Sequence, residues 1–227
     1  MESVLDRVIK QNTENINLLK TKDYNIFSVL QIQSKEVLIC RMIADLLNPR
    51  GQHGAGAEYL KIFLRDCLGM EKMDTKLADQ AIVTAEYAID DERRIDIVIE
   101  IGSYFLPIEV KIYAADQKSQ CFDYYQYAKR RDAQAKVYYL TLDGHRPGKD
   151  STSSGNRSVT EEDIVCLSFR EHILNWLKAC KNCGNTGMIP ILEQFIHNIE
   201  QISGYTSEKV RNMVIDELLK SGDSLRA

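Results

Sequence analysis

Asp96, Glu109 and Lys111 are the residues of this chain whose types and spacing could do chemistry together. They lie in RRIDIVIEIGSYFLPIEVKIYAADQKSQCFDY, residues 93–124. Two carboxylates brought close repel each other, and removal from water worsens the repulsion, so a sheet tolerates them only beside a cation or a proton. A hard divalent metal meets that need, because Mg²⁺ takes oxygen ligands, usually one or two carboxylates, and leaves positions for water and substrate phosphate. Lys111, two residues from Glu109, could then reach an attacking water or stabilise charge growing on a phosphate. The plain alternative is an amphipathic hairpin whose acids and lysine form a solvated ion pair, and for one Glu-x-Lys on its own that is the better reading.

The elements that must position these groups follow from periodicity. Residues 93–101 alternate, which predicts Ile95, Ile97 and Ile99 on one face and Asp96, Val98 and Glu100 on the other. Gly102 and Ser103 supply a turn. In residues 108–112 the apolar Ile108, Val110 and Ile112 then leave Glu109 and Lys111 together on the opposite side. Asp96 stands 13 residues before Glu109, which suits a short hairpin bringing two acids and a lysine together. A helix expected over 115–129 follows, with Gln120 and Tyr124 as an i, i+4 pair on one side.

This order of motifs resembles the PD-(D/E)XK nuclease superfamily, in particular its RecB-like branch. The residues that carry the likeness are Arg94-Ile95-Asp96 in a strand, Glu109-Val110-Lys111 in the next, and Gln120 to Tyr124 on a helix. Upstream, Glu36 followed by ADLLNPRGQHGAG, with a helix entering at Glu58, is similar to the N-terminal motif of a bacterial family placed in that superfamily. The resemblance covers about residues 34–142. It implies an α/β, restriction-endonuclease-like core in the order helix, three strands, helix, strand, with a mixed central sheet flanked by helices and helical additions at both ends. It also implies a metal-dependent nuclease that hydrolyses phosphodiester bonds of nucleic acid, with DNA the expected substrate.

In that reading Asp96 and Glu109 hold Mg²⁺ or Mn²⁺ with the Val110 carbonyl as a further ligand, and Lys111 assists the water. Gln120 and Tyr124 orient Lys111 or touch substrate phosphate. His53, between flexible glycines, is the candidate for the upstream metal-binding histidine of the branch, and Glu36 joins the site or merely serves its helix start. The basic run Lys129-Arg130-Arg131 could track a nucleic-acid backbone or complement a helix dipole. Where the family often shows His-Ser a few residues after the glutamate, this chain has Ile39-Cys40. That departure keeps a second reading in play, a nuclease-fold module that binds nucleic acid or a protein partner without cutting.

Composition sets the frame. The 227 residues suit a single domain, a nuclease-like core over about 34–169 with a helical extension over about 170–227. With 44% hydrophobic and 27% charged residues the chain reads as an ordinary globule, and a net charge of −4 with a pI near 5.7 argues against a strongly basic nucleic-acid coat. No apolar run approaches a membrane span and the N-terminus lacks a signal-peptide core, so a cytoplasmic protein with six reduced cysteines is expected. The oligomeric state stays open, a homodimer among the options.

Elsewhere, amphipathic spacing predicts a helix up to about residue 20, and Ser34 is a plausible N-cap for one over 34–47 with Val37, Leu38, Met42, Ile43, Leu46 and Leu47 inward. Asn48-Pro49-Arg50-Gly51 ends that helix, and another is expected over 57–68, with Gly69 suited to its C-terminal cap. Residues 81–89 read as the first strand, with Glu86 ranked below Asp96 as a site residue. Residues 136–142 read as a buried parallel strand. Polar residues 143–158 predict a mobile flap or a disordered loop. A strand over 164–169 and helices over 170–179, 188–202 and 207–220 close the chain. Cys180 and Cys183 form a lone CxxC without a second ligand pair at convincing spacing.

Overall fold

The computed structural model describes residues 24–71, 74–183 and 185–205. The helices expected up to about residue 20 and over 207–220 lie outside them. The longer helices ahead of the sheet, α1 (Glu36–Leu47) and α2 (Glu58–Asp66), are flanked by single helical turns at Ile26–Val29 and Thr75–Ala78 and precede the strands β1 (Ile82–Ala88), β2 (Arg94–Ile101) and β3 (Tyr104–Lys111). Helix α3 (Gln120–Arg131) crosses over to β4 (Val137–Thr141), and β5 (Ile164–Ser168), α4 (Leu174–Cys180) and α5 (Ile189–Ile202) follow. The sheet runs β1-β2-β3-β4-β5, antiparallel through β1, β2 and β3 and parallel through β3, β4 and β5. This is a mixed five-stranded sheet flanked by helices, an α/β restriction-endonuclease-like fold.

Burial on both faces explains the strand sequences. Every residue of β4, Val-Tyr-Tyr-Leu-Thr, is buried, as a central parallel strand covered by helices requires. On one face Ile97 and Ile99 of β2, Ile108 and Val110 of β3 and Leu140 of β4 pack with α1, α2, α4 and α5, in one cluster that reaches from Phe27 to Ile199. On the other, Val98, Phe105 and Tyr139 pack with Cys121, Phe122, Tyr124 and Ala128 of α3. Trp176 of α4 anchors the first cluster, its Nε1 donating to the Tyr59 carbonyl at 2.8 Å.

Several expectations are corrected. Helix α1 starts at Glu36 with Lys35 at the N-cap and no side-chain capping bond, so Ser34 is not the cap. Its buried stripe is Ile39, Cys40, Ile43, Ala44, Leu46 and Leu47, whereas Val37 and Leu38 are exposed. Apolar residues on both sides of the first turn left the phase open, and the continuous i, i+3, i+4 stripe decided it. In α5, Leu192, Phe195, Ile196 and Ile199 are buried as expected but Ile191 is exposed.

Residues 115–119 are not helical, because their polar groups bond elsewhere. Asp116 accepts from Tyr139 Oη at 2.7 Å and from the Gly148 N–H at 2.6 Å, and Ser119 bonds to the carbonyls of Asp150 and Ser153. Apart from Tyr139, the partners in these bonds belong to the stretch expected to be a flap. Residues 143–158 instead form a strap with a helical turn, Lys149–Thr152, and a two-stranded ribbon, Ser153–Ser154 with Arg157–Ser158, and its Ser151 is fully buried, accepting from the Cys121 N–H at 3.3 Å. All six cysteines are free thiols. Helix α4 ends at Cys180, and Cys183 caps it with contacts to the Ala179 and Cys180 carbonyls.

Candidate active site

Asp96 sits where β2 parts from both neighbours. The β2–β3 pairing runs from Ile101↔Tyr104 to Ile97↔Ile108 and stops, one step short of setting Asp96 opposite Glu109. On the other side β1 pairs with β2 at Ala85↔Ile97 and Tyr87↔Ile95 but not at the intervening Glu86 and Asp96. The faces change over at the same point. Ile97, with Val83 and Ala85, packs on the α1 side, whereas Ile95, with Tyr87 and Ile89, packs on the α3 side. The expected sharing of one face by Ile95, Ile97 and Ile99 therefore fails at Ile95. Opposite Asp96, at the rung where the faces change over, Glu86 has φ +53°, the left-handed region that costs a non-glycine residue roughly 1–2 kcal/mol.

The parted strand frees main-chain groups of β3, and acids take them up. The Val110 N–H donates to Asp96 Oδ2 at 2.8 Å, and the Ile112 N–H donates to Glu36 Oε2 at 2.8 Å. In an extended strand the N–H and C=O of one residue face the same edge, so the Val110 carbonyl also faces the edge at which Asp96 lies. Glu109 and Lys111 share the α3 face of β3, as alternation predicts, and both are buried. Lys111 Nζ donates to Glu109 Oε1, while Glu109 Oε2, equally buried, has no hydrogen-bond partner.

Electrostatics follows from that crowding. Burial, then the neighbouring Asp96 charge, raises the Glu109 carboxyl well above its ordinary value, against the pull of Lys111. Asp96 is raised by burial too, with the Val110 N–H and Lys111 opposing. Asp96 thus adds to the rise at Glu109, whereas Glu109 opposes the rise at Asp96. For Lys111 burial is the largest influence and would lower it, but Glu109, Asp96 and Glu36 together outweigh burial and raise it, so the amine stays cationic. The Lys111 ammonium is thus a cation set beside both acids.

The remaining candidates divide. Glu36 is brought to the cluster, by its bond to Ile112 and by its proximity to Asp96 and Lys111. Gln120 and Tyr124 are buried beside it but bond to each other, Gln120 Nε2 to Tyr124 Oη at 3.1 Å, and the tyrosine hydroxyl donates to the Arg94 carbonyl. They tether β2 just ahead of Asp96 rather than touching Lys111. His53 is buried in a loop of its own, where Nδ1 accepts from the Ala55 N–H at 3.1 Å. Its Nε2 must then carry the proton that reaches the Asn48 carbonyl at 3.0 Å, and the ring stacks on Tyr59. Both nitrogens are used to fold the loop and neither has a lone pair left for a metal.

A family model described as the PD-(D/E)XK nuclease superfamily matches residues 24–197. The chain belongs to the PD-(D/E)XK nuclease superfamily. No curated protein and no solved structure matches it. For this superfamily member the test of a metal site lies in the donor set. Among the described residues no group of three or more His, Cys, Asp or Glu side chains is arranged to hold a metal ion. Two carboxylates and a main-chain carbonyl are nonetheless a fitting set for Mg²⁺, which commonly keeps several waters. The unpartnered Glu109 Oε2 is the particular observation in favour, since a buried carboxylate oxygen without a donor is a site for a cation or a proton.

Two residues were underrated by sequence reasoning. Cys40 of α1 is buried close enough to feel Asp96, Glu36 and Glu109, and burial plus those charges raise its thiol far above the usual range, so it is a neutral wall of the site. Glu86, whose strand position hid its backbone conformation, is bound by Arg41 Nη2 at 2.6 Å and Nε at 3.1 Å. No helix among the described residues is long and apolar enough to cross a membrane.

Proposed function

We propose that this superfamily member is a metal-dependent nuclease that hydrolyses phosphodiester bonds of DNA. The observation that carries the reading is the pairing of half-buried Asp96 with buried Glu109, one of whose carboxylate oxygens is unpartnered, and a lysine beside it. Asp96, Glu109 and the Val110 carbonyl would hold Mg²⁺ or Mn²⁺. A divalent cation there supplies Lewis acidity toward a phosphoryl oxygen and lowers the pKa of bound water.

The chain's own groups do the rest. Lys111, kept cationic by three carboxylates, is placed to donate to a phosphate oxygen as negative charge grows on it, and a donor fixed in a dry site needs no reorganisation at that moment. Tyr124 and Gln120 hold β2 against α3, and Glu36 caps the end of β3, so the acids and the lysine are fixed in register.

The test is incubation of the purified protein with linear DNA, circular DNA and RNA, in Mg²⁺, Mn²⁺ and EDTA. The expected result is metal-dependent cleavage of DNA, absent in EDTA and absent from Asp96→Ala. Nucleic-acid binding without cleavage under every condition would replace the nuclease with a non-catalytic binding module.

A further inference from the structure

We propose that Glu86 is a positioning residue for Asp96, its left-handed backbone, held by Arg41, making the bend that delivers the Asp96 carboxylate to Val110 and Glu109. The inference rests on the reading of Asp96 as a working carboxylate, and it deepens that reading by naming what aims it.

The bend is a rotation and not an insertion. Pairing on its two sides, Ala85↔Ile97 and Tyr87↔Ile95, keeps one register, so no extra residue is present as in a β-bulge. Residues two apart in a regular strand share a face. Here Ala85 and Tyr87 do not, and neither do Ile97 and Ile95, so both strands turn over at the same rung. That rung holds Glu86, with φ +53°, and Asp96.

Two sets of contacts hold the turned segment. Arg41 of α1 grips the Glu86 carboxylate on one side. Beyond the bend, Tyr87 meets the rings of Phe105 and Tyr127 at 5.7 and 6.1 Å, and Arg93 bonds to Asp123 of α3 at 3.1 Å.

The consequence reaches the site. Had β2 continued straight, Ile95 would be the register partner of Val110, whose edge-facing N–H would meet a β2 carbonyl. The bend carries Ile95 away to the α3 side and puts the Asp96 carboxylate in its place. A glutamate at φ +53° inside a strand has no local reason to be there, and such outliers persist where surrounding structure over-determines them. Arg41 and the turned hairpin supply that determination.

The test is a series at position 86 ordered by tolerance of the left-handed region, Glu86→Gly, Glu86→Asn, Glu86→Ala and Glu86→Val, together with Arg41→Ala. Two quantities are read, kcat and KM for cleavage in Mg²⁺, and hydrogen exchange of the Val110 amide in metal-free protein, with the β4 amides as a control for intact fold. Glycine and asparagine are expected to lose little. Valine, which resists this conformation most, is expected to lower kcat on the order of 10²-fold, with KM within about twofold, as a displaced reacting group does.

In step with that loss, Val110 exchange is expected to speed up by about tenfold or more in Glu86→Val, and by less in Glu86→Ala and Arg41→Ala, while β4 protection is kept. Equal Val110 protection and equal kcat across the series would overturn the proposal. So would an order that follows charge or hydrogen bonding, with glycine inactive and valine active. If the wild type neither cuts nor binds metal, the nuclease reading fails, and the Val110 amide still decides whether position 86 aims Asp96.

Discussion

The main-chain N–H of Val110 donates to Asp96 Oδ2 at 2.8 Å, where a regular sheet would have given it a carbonyl. One bond thus joins the strand carrying the first acid to the strand carrying Glu109 and Lys111. It costs β2 and β3 the end of their ladder and fixes Asp96 beside a carboxyl that is itself buried and short of a partner.

Mg²⁺ or Mn²⁺ is expected to raise the melting temperature, and Asp96→Ala or Glu109→Ala to abolish the rise. A ligand that binds only the native state stabilises it by about 2.7 kcal/mol at a hundredfold excess over its dissociation constant. Removing one acid also relieves repulsion in the metal-free protein, so the metal-induced shift is the quantity to compare. Equal shifts in wild type and both variants would place the cation elsewhere.

Lys111→Ala is expected to remove cleavage while sparing the metal-induced shift. Loss of a fixed electrostatic donor costs on the order of 10² to 10³ in rate, about 2.7–4 kcal/mol. Lys111→Arg should not restore wild-type activity, because a planar guanidinium does not fit where a compact ammonium sits. Cleavage by Lys111→Ala at the wild-type rate would remove the lysine from the mechanism.

The pH dependence has a definite sign. Glu109, raised well above its ordinary 4.5, binds its proton more tightly in the folded state than in the unfolded. Its contribution to stability is therefore full below pH 4.5 and is lost as pH rises through the folded value. Asp96 adds the same trend from 3.8 upward. Metal-free melting temperatures should accordingly carry a declining component above pH 4.5 that Glu109→Gln removes. The Mg²⁺-induced shift should grow over the same window, since a cation must displace the protons held there. A metal shift independent of pH between 4.5 and 8 would contradict the assignment.

His53→Ala is expected to destabilise the fold without touching the metal response. It leaves the Ala55 N–H without its acceptor and takes one of two donors from the Asn48 carbonyl, which keeps the Gly51 N–H, at a cost of about 1–3 kcal/mol. Thermal melts with and without Mg²⁺ separate the two effects. A lost metal shift with an unchanged metal-free melt would return His53 to the ligand set.

Much of this protein is determined by its sequence alone. Strict alternation in β3 forces Glu109 and Lys111 onto one face, because successive side chains of a strand point to opposite sides and Ile108, Val110 and Ile112 claim the core. The buried run of β4 demands cover on both faces, and the order of the motifs carries the superfamily. Tertiary structure decided the rest, because the same local pattern serves more than one partner. His53 has ligand chemistry, and only the positions of Asn48 and Ala55 show both nitrogens already engaged. Residues 143–158 are as polar as a free loop, and only Asp116 and Ser119 make them a packed strap. At Glu86 nothing local announces a left-handed residue. Alternation predicts a straight strand there, and the contacts of Arg41 and of the turned hairpin, distant in sequence, overrule it.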